Sequence, residues 1–424
     1  MSTAADAPEA IQIEDLRHPI LTPAQEEALA EAERNPVELS SAAILAAAEE
    51  RAGLSDFGPD DFRERLDLLV EVASWEGHSE LTKAGFFYRA VRAATTRLLA
   101  HDLVERNPEI EERPIERPII IAGLPRSGTT HLLNLTCADS RLRSLPYWRA
   151  VEPIPLPGEM AGNGQSDPRY QRAAWSWERI QQLNPFQAPH HPMDPEHVSE
   201  DGELQLPDFS TYVWEWSMNA GRWRDYYLAH DQVPHYRYGR RMLQICDHLD
   251  DSQKRWVVKS PQHFEQVRVL REVYPDATVA FIHRDPVAVL RSIVSHVAYT
   301  SRTRLRDHEE IDLGQVLGYW TDRVERLLRA YERDADLIPA EQRVDVYFKR
   351  FMGDDVGTVE RLLETAGLAR TERQSAELQA QMVNHQRDKY GRLAYDLEGD
   401  FGVDPAALRE RFGFYLDRFP DATA

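Results

Sequence analysis

"IIIAGLPRSGTTHLL", Ile119 to Leu133, runs an apolar strand-like triplet into a glycine loop and then into a helix-like stretch. Gly123 and Gly128 have the spacing of a Walker A loop, but Thr129 stands where that motif has its lysine. A glycine turn between strand and helix offers backbone N–H groups and the positive end of a helix dipole to a phosphate. Ser127, Thr129 and Thr130 add hydroxyls, and Arg126 is the cation inside the glycine bracket. Without a lysine to reach β- and γ-phosphates, the loop suits a single phosphate or a phosphate with one attached group. It does not suit a magnesium triphosphate.

Two further apolar runs lead into helical patterns, "RWVVKS" and "ATVAFIHR". Together with the opening stretch they read as βα units of a parallel sheet, whose strand ends carry the ligand-binding loops. After the last run, Asp285 and Pro286 form a helix start, which puts Arg284 at the strand end. Ser292 falls two helical turns on, so the pair reads either as a solvated arginine with a packed serine or as a second anion site on the same sheet edge. Two such sites imply a ligand with a phosphate at each end.

Upstream, 3.6-residue periodicity fills the chain to about residue 110 without strand-like alternation, predicting a helical N-terminal region over 1–112 after ~15 loosely ordered residues. Residues 113–424 then form the predicted α/β domain, a P-loop-type parallel sheet flanked by helices. Its insertion, 145–235, is rich in proline, histidine and aromatics and holds six of the nine tryptophans. Both a lid or acceptor pocket and a helical insertion packed on the core fit that composition.

The 71 acidic and 50 basic side chains give a net charge of −21, which argues against nucleic acid or anionic membrane as partner. Cys137 and Cys246 have neither disulfide nor metal spacing. No apolar run reaches the roughly 18 residues of a membrane span, and the first residues lack a signal-peptide pattern. A cytoplasmic protein is expected; its oligomeric state is not legible.

The chain resembles the sulfotransferases that use 3'-phosphoadenosine 5'-phosphosulfate (PAPS), in particular soluble bacterial members. "GLPRSGTTHL" is similar to their 5'-phosphosulfate loop, with Arg126 at the usual lysine or arginine position. "HRDPVAVLRSIVS" is similar to their 3'-phosphate motif, Arg284 and Ser292 matching in type and spacing. "WVVKSPQHF" carries a K-S-P-x-H pattern, and "NHQRDKYGRLAYDLEGDFGVD" resembles the tail whose basic residues, here Arg387 and Lys389, help enclose the 3'-phosphoadenosine. The family binds PAPS without a metal.

The resemblance implies sulfuryl transfer to a hydroxyl or amine of a small, partly apolar acceptor, with Arg126 and Lys259 stabilising the leaving oxygen and His263 as general base. In its helix-start context His263 also reads as a capping residue. His131, His190, His191 and His197 are weaker bases, and the prolines of "HHPMDPEH" break any helical zinc spacing. Phe348 and Lys349 depart from the tyrosine-acid pair common in related enzymes. The competing readings are a P-loop kinase or nucleotidase, disfavoured by the missing lysine, and a catalytically inactive nucleotide-binding regulator.

Overall fold

The computed structural model describes residues 10–384, 391 and 393–423. Five strands, β1 (Ile119–Gly123), β2 (Leu142–Arg143), β3 (Arg255–Lys259), β4 (Thr278–His283) and β5 (Arg343–Tyr347), form one parallel sheet in the order β2-β3-β1-β4-β5. The chain winds from β1 outward to β2 and back to β3, then crosses to β4 and β5. The winding direction therefore reverses around β1 and β4, where α/β sheets open a crevice. Register aligns Ile121 with Lys259 and Gly123 with Ile282, so the ends of β1, β3 and β4 lie side by side.

Alternation along the strands builds two cores. Ile120, Ala122, Val258 and Phe281 face one side, and Ile119, Ile121, Val257 and Ile282 the other. The first side is shared by the N-terminal helices, through Ile44, Leu66 and Leu98, and by Trp214 and Trp223 of the insertion. Five helices shape the site: α1 (Glu80–Arg106), α2 (Thr129–Thr136), α3 (Tyr212–Met218), α4 (Pro286–Arg304) and α5 (Leu313–Asp334). Asp285 caps α4 by accepting from the Val287 N–H at 2.9 Å, with Pro286 in the first turn, as its sequence predicts.

Three local expectations change. The N-terminal segment is not loose up to residue 15: Ile13 and Leu16 are buried, and Asp15 pairs with Arg302 of α4 at 2.9 Å. The stretch after β3 begins as a 3₁₀ turn, Pro261–Phe264, and becomes helical only at Val267. In the insertion, Trp214 and Trp223 are fully buried while Trp175 is 67% exposed, so core packing accounts for only part of its aromatics.

A buried ion cluster fastens the insertion to the domain. Arg323 of α5 donates through Nε to Glu215 of α3 at 2.9 Å and through Nη1 and Nη2 to Glu265 at 2.7 Å. Burial raises the Glu215 carboxyl, Arg323 opposes that rise, and the two carboxylates hold the guanidinium well above its usual range. Arg323→Met strands two buried carboxylates and should destabilise the fold by about 3–5 kcal/mol. Urea denaturation followed by tryptophan fluorescence measures the loss; a shift of the midpoint within error of zero is the contrary result.

Candidate active site

The loop after β1 owes its shape to two positive backbone angles, φ 67° at Arg126 and 97° at Gly128. A side chain on Gly128 would also press on the Phe348 ring at 3.0 Å, so glycine is required there on both counts. Ser127 closes the turn by donating its hydroxyl to the Leu124 carbonyl at 2.6 Å and is fully buried. Its hydroxyl, expected at the phosphate, is thus engaged in shaping the loop. Gly128, Thr129 and Thr130 lie on the wall of a cavity of about 1000 Å³, at the start of α2.

Arg126, Arg284 and Ser292 lie together, although the sequence places Arg126 in one anion site and Arg284 with Ser292 in a second. Arg126 Nε donates to Ser292 Oγ at 3.1 Å and its Nη1 to the His190 carbonyl. Arg284 donates to the Arg126 carbonyl at 2.5 Å, and its guanidinium lies 4.0 Å from the Phe348 ring centre. Among the described residues neither arginine has a carboxylate partner. Burial, then the neighbouring Arg126, lowers the Arg284 pKa to about 10. Two neighbouring guanidiniums of which one is strongly desolvated favour an anion between them. Phe348 thus walls this site, whereas Lys349 donates to the Thr423 carbonyl. Ser292 also donates to Tyr395 Oη at 3.2 Å. Arg387 and Lys389 lie outside the described residues.

Lys259, at the end of β3, donates to Thr130 Oγ1 at 3.2 Å and pairs with Glu200 at 2.5 Å. Glu200 is on the cavity wall, carried there by a turn whose Asp201 N–H donates to the Lys259 carbonyl. No spacing rule links Glu200 to Lys259, and the only sequence signal is the short acidic run "EDGE" inside an otherwise aromatic segment.

His263 is placed differently from the expectation. It is 1% exposed and is not among the residues lining the cavity; its Nε2 meets Asp201 Oδ1 and its Nδ1 the Tyr236 hydroxyl, both at 3.0 Å. With both nitrogens engaged, the ring ties Asp201, next to Glu200, to Tyr236. His131 pairs with Asp355 at 3.3 Å. His191 and His197 lie on the wall, while His190 packs against His296 with ring centres 4.6 Å apart.

Burial and, secondarily, the nearby Arg126 or Lys259 push His190 and His191 down to about 3 from 6.5. Between those values the unfolded chain binds the proton and the folded chain does not. The stability these rings contribute is therefore complete above pH ~6.5 and lost as pH falls toward 3, by up to ~1.4 kcal/mol per pH unit for each ring. His191→Asn should flatten the pH dependence of the urea midpoint between pH ~6.5 and ~4. An unchanged slope would sink this reading.

The α/β sheet carries a glycine loop at its switch point, and the arginine within that loop lies beside Arg284 of the neighbouring strand end, an arrangement suited to an anionic ligand. The profile of the Sulfotransferase family matches residues 118–372, and the chain belongs to that family. Among solved structures it is similar to the sulfotransferase STF1 of Mycobacterium tuberculosis, with 26% identity and a TM-score of 0.74 over 88% of this chain and 98% of that one. It is also similar to the sulfotransferase STF9 of Mycobacterium avium, with 26% identity and a TM-score of 0.78 over 90% and 96% of the two chains. A search of curated proteins finds no match. The fold is that of these bacterial sulfotransferases.

Proposed function

We propose that the protein transfers the sulfuryl group of PAPS to a hydroxyl or amine of a small acceptor in the cytoplasm. The observation that carries this reading is the convergence of Arg126, from the glycine loop, with Arg284 and Ser292, with no ion-paired acid among the described residues. In this reading Gly128, Thr129 and Thr130 hold the 5'-phosphosulfate. Arg284 and Ser292 hold the 3'-phosphate, and Arg387 and Lys389 close over the nucleotide. The ligand needs no metal, since arginines and N–H groups supply the charge that magnesium supplies to a triphosphate.

In the reaction the bond between sulfur and the phosphate oxygen breaks, the acceptor oxygen bonds to sulfur, and the acceptor proton leaves. Lys259 and Arg126 stabilise charge on the departing oxygen. Glu200 takes the proton, because it faces the cavity beside Lys259 whereas His263 does not; His263 positions the turn through Asp201. The remainder of the cavity, walled by Phe86, Trp214 and Trp216, receives the acceptor.

Isothermal titration calorimetry with 3',5'-adenosine bisphosphate (PAP) tests the donor reading. PAP should bind equally well with magnesium and with EDTA, and more tightly than ATP with magnesium. Preference for magnesium ATP would replace this function with a kinase or nucleotidase.

A further inference from the structure

The cavity continues along α4 well past the paired arginines. His296, Thr300, Thr303 and Arg304 line it from successive turns of that helix, and Arg304 lies twelve residues beyond Ser292, about 18 Å along a helix axis. Between the two ends Trp216 stacks on His296, ring centres 5.7 Å apart at 12°. The passage is thus aromatic in the middle, with Phe86 and Trp214 on the facing wall.

Its far end is cationic. Arg304 makes one side-chain hydrogen bond, to Thr300 Oγ1 at 2.6 Å, and no ion pair among the described residues. Burial alone lowers its pKa to about 10, with no carboxylate contributing. A guanidinium with five donors, one of them used, is otherwise an uncompensated charge. The acids on the cavity wall do not reach it: Glu200 pairs with Lys259 and Glu203 lies 4.0 Å from Arg92. Asp194 and Glu196, on the insertion, form no ion pair among the described residues. His296 is held neutral by burial and so neither adds to nor cancels the charge. Arg89 of α1 is a second wall guanidinium without an ion pair among the described residues.

The geometry points to an acceptor that is itself an acid: a molecule with a hydroxyl at one end, an apolar body along Trp216, and a carboxylate on Arg304. This rests on the proposed sulfuryl transfer for the hydroxyl end, but the carboxylate site is testable by itself. Helix-end placement gives Arg304 an alternative role, since a cation there complements the helix dipole, and the test separates the two.

Calorimetry on the full chain saturated with PAP, using 12-hydroxydodecanoate and its methyl ester as probes, reads the preference. The acid should bind at least ~10-fold more tightly than the ester. Arg304→Gln should bring the two within ~3-fold of each other while leaving PAP affinity unchanged, and Arg304→Lys should retain part of the preference. The Arg304 contacts to α1 are made by its backbone carbonyl, which accepts from the Ser79 N–H and the Thr82 hydroxyl at 2.9 Å, so they survive these substitutions. Equal affinity for the two probes, binding of neither, or a preference undiminished in Arg304→Gln overturns the inference. If PAP does not bind but the Arg304-dependent preference for the acid persists, the donor reading falls and the carboxylate site stands.

Discussion

Arg284→Ala should weaken PAP binding by about 30- to 5000-fold, corresponding to the ~2–5 kcal/mol lost when one partner of a buried charge pair is removed. The magnitude follows from where Arg284 is held. It is largely desolvated, stacked on Phe348 and in contact with the Arg126 carbonyl, and it forms no ion pair among the described residues. Almost all of its electrostatic benefit therefore appears only when an anion arrives. Arg284→Lys should recover only part of the affinity, because an ammonium keeps the charge but loses the planar fork and the stack. Calorimetric titration of PAP into the two variants measures both effects; wild-type affinity in Arg284→Ala would remove this arginine from the donor site.

Lys259→Met and Glu200→Gln should each slow turnover steeply while PAP affinity changes little. Loss of a cation at the departing oxygen lowers kcat by about 10²- to 10³-fold, and loss of a proton acceptor by about 10²- to 10⁴-fold. The two side chains meet at 2.5 Å, so their effects should not add. The double variant is expected near the worse single one. His263→Gln provides the contrast: as a positioning residue it should lower kcat less than Glu200→Gln and leave the pH profile of the reaction in place. Single-turnover transfer of labelled sulfate resolves the three. A slowing in His263→Gln that exceeds that in Glu200→Gln, with an altered pH profile, would return the imidazole to the role of base.

The elements legible in the sequence were those governed by local chemistry. Gly128 is required by its own backbone angle and close neighbour, and Arg284 is followed by a helix start written in Asp285 and Pro286, so loop and strand end appear in the linear pattern. The spacing of Ser292 from Arg284 was also legible, because two turns of one helix fix it. Glu200 was not, since its place depends on a turn folded back onto β3 by the insertion, and no periodicity encodes that contact. The surroundings of His263 were not legible for the same reason: its partners, Asp201 and Tyr236, come from segments 62 and 27 residues away in the chain. The burial of Ile13 and Leu16 likewise depends on a surface that only the assembled domain offers.

Because α1 contributes Phe86 and Arg89 to the acceptor wall and Leu98 to the shared core, substrate choice and fold stability are inscribed on one helix. Drift in acceptor preference through α1 is therefore constrained, each exchange being tested first for whether the chain still folds. Asp194 and Glu196, on the same cavity wall, belong to neither hydrophobic core and carry no such double duty. New specificities in this lineage should accumulate there, with α1 as the conserved face against which they are tried.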